Sequence, residues 1–199
     1  IYRSPASAKS LQGRAAQCAM RKASHSKLKA QAMTTSDELL VKPSWKFLFS
    51  HPAHLLSFGF GSGLARKAPG TFGTLVAFPM YWYLAPRLSN AVFIFVLIWA
   101  FAIGIWVCDK TGKALGVADY GGMVWDEIVA FMLVLFFTPP GWQWALLAFV
   151  LFRFFDIFKP QPIRYFDAHW HGGFGVMFDD LLAAGYALLC MALIKSVLP

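Results

Sequence analysis

Residues 91–108 read AVFIFVLIWAFAIGIWVC, 18 positions with no charged or amide side chain. As a helix at about 1.5 Å per residue this stretch reaches roughly 27 Å, close to the ~30 Å hydrocarbon core of a bilayer. Further apolar stretches flank it. Residues 72–85 contain Pro79, residues 128–138 stop at Pro139-Pro140-Gly141, residues 142–158 are charged only near their end, and residues 181–198 close the chain. None alternates with the period of two that marks a membrane barrel strand. The expected fold is all-α: a membrane-embedded helical bundle of about four to five hydrophobic spans, two of them short.

The composition agrees. The chain has 199 residues, 58% hydrophobic and 14% charged, where soluble domains carry about 25% charged residues. The net charge of +8 is unevenly placed. Residues 1–46 hold nine Lys/Arg against Asp37 and Glu38 (+7), and the rest hold nine against eight acids (+1). Basicity is thus a property of the tail, and a nucleic-acid-binding body is not indicated. Cys18, Cys108 and Cys190 are odd in number and far apart, which excludes a disulfide framework or a CxxC metal site. Residues 1–36 lack acids and resemble a transit peptide in composition. Met33 reads as an ordinary start, so residues 1–32 read as sequence upstream of it, or as a disordered basic arm. The expected organisation is a basic, disordered segment over 1–40 and one helical domain over 41–199. Residues 45–56 form an amphipathic stretch suited to a membrane surface, with His51 and His54 in structural roles.

The charges of the body are concentrated. Residues 152–185, FRFFDIFKPQPIRYFDAHWHGGFGVMFDDLLAAG, contain Arg153, Asp156, Lys159, Arg164, Asp167, His169, His171, Asp179 and Asp180. Charges in an apolar setting are costly unless they are paired or hold a ligand. Both signs together suit a hard cation and an anion. Residues 59–73 hold five glycines, Arg66 and Lys67, a pattern that can cradle phosphate or simply pack helices closely. Tracing the spans puts residues 59–71, 109–127 and 159–180 on one face. Arg66, Lys67, Lys110, Lys113, Arg153, Lys159 and Arg164 fall there, against Arg87 and Lys195 opposite, which marks that face as cytoplasmic.

Mg²⁺ is the cation expected, because it takes carboxylates together with phosphate and water. Its candidate ligands are Asp126, Glu127, Asp156, Asp179 and Asp180. Adjacent helical residues point about 100° apart, so one member of each pair, Asp126/Glu127 and Asp179/Asp180, faces the ion while the other suits a helix cap. Asp126 or Asp179 is the candidate proton acceptor, and His171 is a candidate general acid or phosphate contact, or else a structural histidine bonded to backbone. Lys67, Arg153, Lys159, Arg164, Gly70 and Thr71 are the candidate phosphate contacts. No nucleophile triad stands out, which favours metal-assisted hydrolysis of a phosphomonoester.

Three segments carry a family resemblance. FGSGLARKAPGTFGTL (60–75), DYGGMVWDEIVAFM (119–132) and FRFFDIFKPQPIRYFD with HGGFGVMFDD (152–167, 171–180) resemble the motifs of phosphatidylglycerophosphatase A, in order, over roughly residues 45–193. That family implies an all-helical, Mg²⁺-dependent enzyme of the bacterial inner membrane that converts phosphatidylglycerophosphate to phosphatidylglycerol. Its motif residues fall on Asp126, Glu127, Arg153, Asp156, Lys159, Arg164, Asp167, His171, Asp179 and Asp180, with the glycine loop over 61–73. Arg66-Lys67 and Ala130 are local variants of the pattern. The rival readings are a transporter or channel with an acidic ion site, a lipid-binding protein without catalysis, and a water-soluble bundle of the same helices.

The alternation of spans makes topology measurable. Reporters at Asn90 and Gly141 are expected on the face opposite those at Gly116 and His169. Gly116 and His169 on different faces would break the single-site reading.

Overall fold

The structure, a computed structural model, describes residues 41–161, 163–170 and 172–197. They belong to one unit, Leu40–Pro199. The basic segment 1–40 lies outside the described residues. Among those residues every regular element is helical.

Two short helices, α1 (Trp45–Leu48) and α2 (Pro52–Ser57), open the unit, followed by a 3₁₀ segment (Gly59–Leu64). Five longer helices follow: α3 (Pro69–Leu84), α4 (Asn90–Leu115), α5 (Trp125–Phe137), α6 (Trp142–Phe158) and, after the short α7 (Ile163–His169), α8 (Gly173–Val197). Local chemistry sets their ends. Ser89 Oγ accepts the Val92 N–H to start α4, and Gly116, at φ 79°, ends it. Pro69 opens α3 at a position where its missing N–H costs no hydrogen bond. Lys159 closes α6 in a left-handed conformation, φ 41°, directly before Pro160.

The short α5 is the axis of the bundle. It packs against α3, α4, α6 and α8, and Ile128, Phe131 and Val134 are fully buried. An apolar helix buried on nearly all sides is expected at the centre of a bundle. The Phe131 ring meets Phe78, Phe149 and Phe152 at 5.1–5.9 Å between centroids. Small residues bring the neighbours close: Gly73, Thr74 and Ala77 on α3, and Ala183, Ala184 and Ala187 on α8.

The outer surface stays apolar. Phe95, Ile98, Trp99 and Trp106 of α4 and Leu146, Val150 and Phe154 of α6 are exposed. So extensive an apolar surface is not that of a protein surrounded by water. Two helices, Asn90–Leu115 and Gly173–Val197, are long and apolar enough to cross a membrane. The other three large helices have 16, 13 and 17 residues. The architecture is that of a helical, membrane-embedded protein.

The amphipathic start docks onto the end of α4. His51 caps α2 through Nδ1, and its Nε2 lies 2.7 Å from Lys110 Nζ. His54 is buried, with Nδ1 3.0 Å from Thr111 Oγ1. Burial first, then the His51 and Lys110 charges, hold its pKa below the ordinary histidine value. Both histidines are structural.

The crossing of α4 and α8 leaves no room at Gly173, where a Cβ would collide with the Ile105 carbonyl oxygen. Gly173→Ala should destabilise the protein by roughly 1–3 kcal/mol, read as a lower melting temperature in detergent. An unchanged melting temperature would contradict this packing.

Candidate active site

All three motif segments meet at one end of the bundle. The first turn of α5 carries Asp126 and Glu127, the last turns of α6 carry Arg153 and Asp156, and α8 carries Asp179 and Asp180. The Val124 N–H, just ahead of α5, donates to the Ser57 carbonyl (2.8 Å), and the Trp125 indole N–H donates to the Ala100 carbonyl (3.0 Å). These two bonds fix where α5 starts, and with it the position of both acids.

Arg153 joins the parts. Its Nη1 donates to Glu127 Oε1 at 2.9 Å and lies 2.7 Å from Asp156 Oδ2. The same nitrogen is 3.4 Å from Thr74 Oγ1. Thr74 in turn donates to the Gly70 carbonyl (2.9 Å). Lys159 pairs with Asp179 Oδ2, and Asp179 Oδ1 accepts the Asp180 N–H (3.0 Å).

Glu127, Asp156 and Asp180 each place a carboxylate oxygen within 4.8 Å of the others. Among the described residues, Asp126 Oδ1, Glu127 Oε2, Asp180 Oδ2 and Arg153 Nε are buried without a hydrogen-bond partner. Asp180 also feels the charges of Asp156, Asp126, Asp179 and Glu127. Close-set buried carboxylates with free oxygens repel one another unless a cation neutralises them. An all-oxygen donor set is one that a hard cation prefers, so the residues present fit a metal ion.

The predicted residues divide in three. Asp126, Glu127, Arg153, Asp156, Lys159, Asp179 and Asp180 come together, and Gly70 lies against the Glu127 carboxylate. Thr71 is half-buried in the first turn of α3. Lys67, between the 3₁₀ segment and α3, is exposed, as is Arg164 on α7. His171 and the Asp167 side chain lie outside the described residues.

One expectation needs correction. Asp126 and Glu127 both stand in the first turn of α5, but neither Asp179 nor Asp180 is near the start of α8. The residue capping α5 is Val124, which makes no side-chain capping bond. Helix α8 begins at Gly173, where it packs against the Ile105 carbonyl of α4, so Asp179 and Asp180 stand well inside it. Thr74 was missed by the sequence reading. The signal available was its spacing of four from Gly70, which puts both on one face of α3.

The family profile described as Phosphatidylglycerophosphatase A matches residues 55–195. A Haemophilus influenzae protein named phosphatidylglycerophosphatase A is 46% identical over 154 residues, 77% of this chain and 94% of its own. An Escherichia coli protein of the same name is 45% identical over 135 residues, covering 67% and 78%. A Bacteroides thetaiotaomicron protein named as a candidate phosphatidylinositol-3-phosphatase is 37% identical over 152 residues, covering 72% and 94%. No solved structure matches.

A methyl group at Gly70 would collide with the Glu127 carboxylate, whereas at Gly185 it would meet nothing within 4 Å. Misplacing a working group by about 1 Å can cost ~10²-fold in rate. Gly70→Ala should therefore lower phosphate release at least ~10-fold with helical content intact, and Gly185→Ala should not. Equal activity of the two variants would remove Gly70 from the site.

Proposed function

The chain belongs to the phosphatidylglycerophosphatase A family, and on that footing we propose that it removes the terminal phosphate of phosphatidylglycerophosphate at the polar end of its bundle, leaving phosphatidylglycerol. It is a phosphoric monoester hydrolase. The observation that carries the site assignment is the triad Glu127, Asp156 and Asp180, close together around Arg153 with oxygens left over.

Mg²⁺ is the ion this donor set suits, with Glu127, Asp156 and Asp180 as its holders. When bound, it supplies Lewis-acid polarisation of the phosphoryl oxygens. The protein's own groups do the rest. Arg153 has Nη1 engaged by Glu127, Asp156 and Thr74, while its Nε has no partner and is a donor available to a phosphoryl oxygen. Lys159, fixed by Asp179, adds positive charge beside it. Both Asp179 oxygens are engaged, by Lys159 and by the Asp180 N–H. Asp126 Oδ1 is not, so Asp126 takes the proton of the attacking water. His171, Lys67, Arg164 and Thr71 remain candidates for orienting the headgroup.

The acyl chains stay in the bilayer while the headgroup reaches the polar end. The excess of Lys/Arg at that end supports a cytoplasmic orientation, and the bacterial relatives support the inner membrane as its location. The relative named for a 3-phosphoinositide shares the phosphomonoester chemistry but differs in headgroup. An assay across phosphatidylglycerophosphate, phosphatidic acid and phosphatidylinositol 3-phosphate ranks these substrates.

Phosphate release from phosphatidylglycerophosphate should require a divalent ion and stop with a chelator. Glu127→Gln, Asp156→Asn and Asp180→Asn should each lower it by roughly 10²-fold or more, with partial recovery at high Mg²⁺. Asp126→Asn should lower it by ~10²–10⁴-fold without recovery, as for loss of an acid–base group. Near-normal release by all four variants would reduce the cluster to an ion-pair scaffold.

A further inference from the structure

Directly below the acids, α4, α5 and α8 leave an apolar groove of about 210 Å³ on the outer wall of the bundle. Ile98 and Phe101 of α4, Val129, Ala130 and Leu133 of α5, and Leu181 of α8 line it. Val129 and Ala130 are buried and make its floor, while Ile98, 62% exposed, stands at its open edge. No charged side chain contributes to it.

Two features tie the groove to the site. Asp126, Val129, Ala130 and Leu133 follow one another at helical spacing, so they share a single face of α5, and Leu181 directly follows Asp180. The groove is therefore continuous with Asp126 along α5, and Leu181 closes it from α8 one residue beyond Asp180. Its long axis also has a direction. Helix α5 starts at the polar end, and Val129 to Leu133 lead away from that end toward the middle of the bundle. Along the antiparallel α4, Phe101 and Ile98 lead the same way.

We propose that this groove holds the first part of one acyl chain of the lipid substrate, so that the chain positions the phosphomonoester at Asp126 and the triad. The proposal rests on the lipid phosphatase reading and extends it from the headgroup to the tail. A lipid whose phosphate lies at the acids must send its chains down the bundle wall, and this groove begins at the same helical face as Asp126. The small side chain of Ala130 gives the groove its depth. A larger residue there would fill it.

The test compares dioleoyl phosphatidylglycerophosphate in micelles with its deacylated, water-soluble headgroup. The ratio of kcat/KM for the first over the second measures the contribution of the chains. Ala130→Leu should lower that ratio about 10-fold, the lower end of what one or a few methylenes in an apolar pocket discriminate. Leu133→Phe, at the deeper end, serves as the independent variant if Ala130→Leu does not fold. Leu146→Phe, on the exposed wall of α6, should leave the ratio unchanged. A photoreactive acyl chain should label Ile98, Phe101 or Leu133, and Ala130→Leu should abolish that labelling. The groove is not an acyl site if the ratio is insensitive to Ala130→Leu and Leu133→Phe, if the wild-type ratio shows no preference for the acylated substrate, or if Ala130→Leu changes only the oligomeric state, which would make the groove a contact between copies. Failure of the wild type to release phosphate from either substrate would instead remove the lipid phosphatase reading, and this proposal with it.

Discussion

The guanidinium of Arg153 is where three helices meet. It lies at the end of α6, bonds the Glu127 carboxylate at the start of α5, and reaches Thr74 in α3. The contacts to Glu127, Thr74 and Asp156 all gather on one nitrogen, Nη1. The guanidinium suits this half-buried place because its delocalised charge is more weakly hydrated than an ammonium. Its surroundings require it in turn: Glu127 and Asp156 are both nearly buried, and stripping one partner from a buried ion pair costs roughly 3–5 kcal/mol. The polar end of the bundle thus depends on one side chain for its charge balance and for the approach of α3, α5 and α6.

Function is placed on top of that balance. Five acids, Asp126, Glu127, Asp156, Asp179 and Asp180, share the end of the bundle with Arg153 and Lys159. A structure built only for stability would match these charges or replace them with apolar packing. An excess of carboxylates with free buried oxygens is instead the arrangement of a site that binds a cation. Stability is given up locally for it, and the aromatic core around Phe131 and the small-residue contacts of α3 and α8 offset the cost.

Much of this was legible in the sequence. The span 142–158 is α6, since Gly141 and the Lys159-Pro160 stop leave little freedom at either end. The gathering of the charged motifs at one end followed from alternating the spans. Which acid of each pair joins the triad did not follow. Helical periodicity fixes the 100° between Glu127 and Asp126, but the phase of α5 is set by the Val124–Ser57 and Trp125–Ala100 bonds, contacts remote in sequence. The apolar stretch read from the sequence begins at residue 181, because Asp179 and Asp180 interrupt the apolar run, whereas α8 begins at Gly173. In the fold Gly173 is what lets the helix pass close to α4. Thr74, set among small residues, reads as packing until Arg153 is seen beside it.

The placement of charge within each helix also bears on how the protein is made. Arg153 and Asp156, three residues apart in α6, form a pair within their own segment and enter the membrane largely neutralised. Helix α8 is different. Asp179 and Asp180 lie inside it with no cation of their own nearby in sequence, and Lys159, the partner of Asp179, belongs to α6. Acids within an apolar helix are costly unless they are paired or hold a ligand. Synthesis runs in the helpful order, because α6 emerges first and its lysine is already at the polar end when α8 arrives. The site is therefore complete only when the last helix brings Asp179 and Asp180 to the acids and cations of the earlier ones.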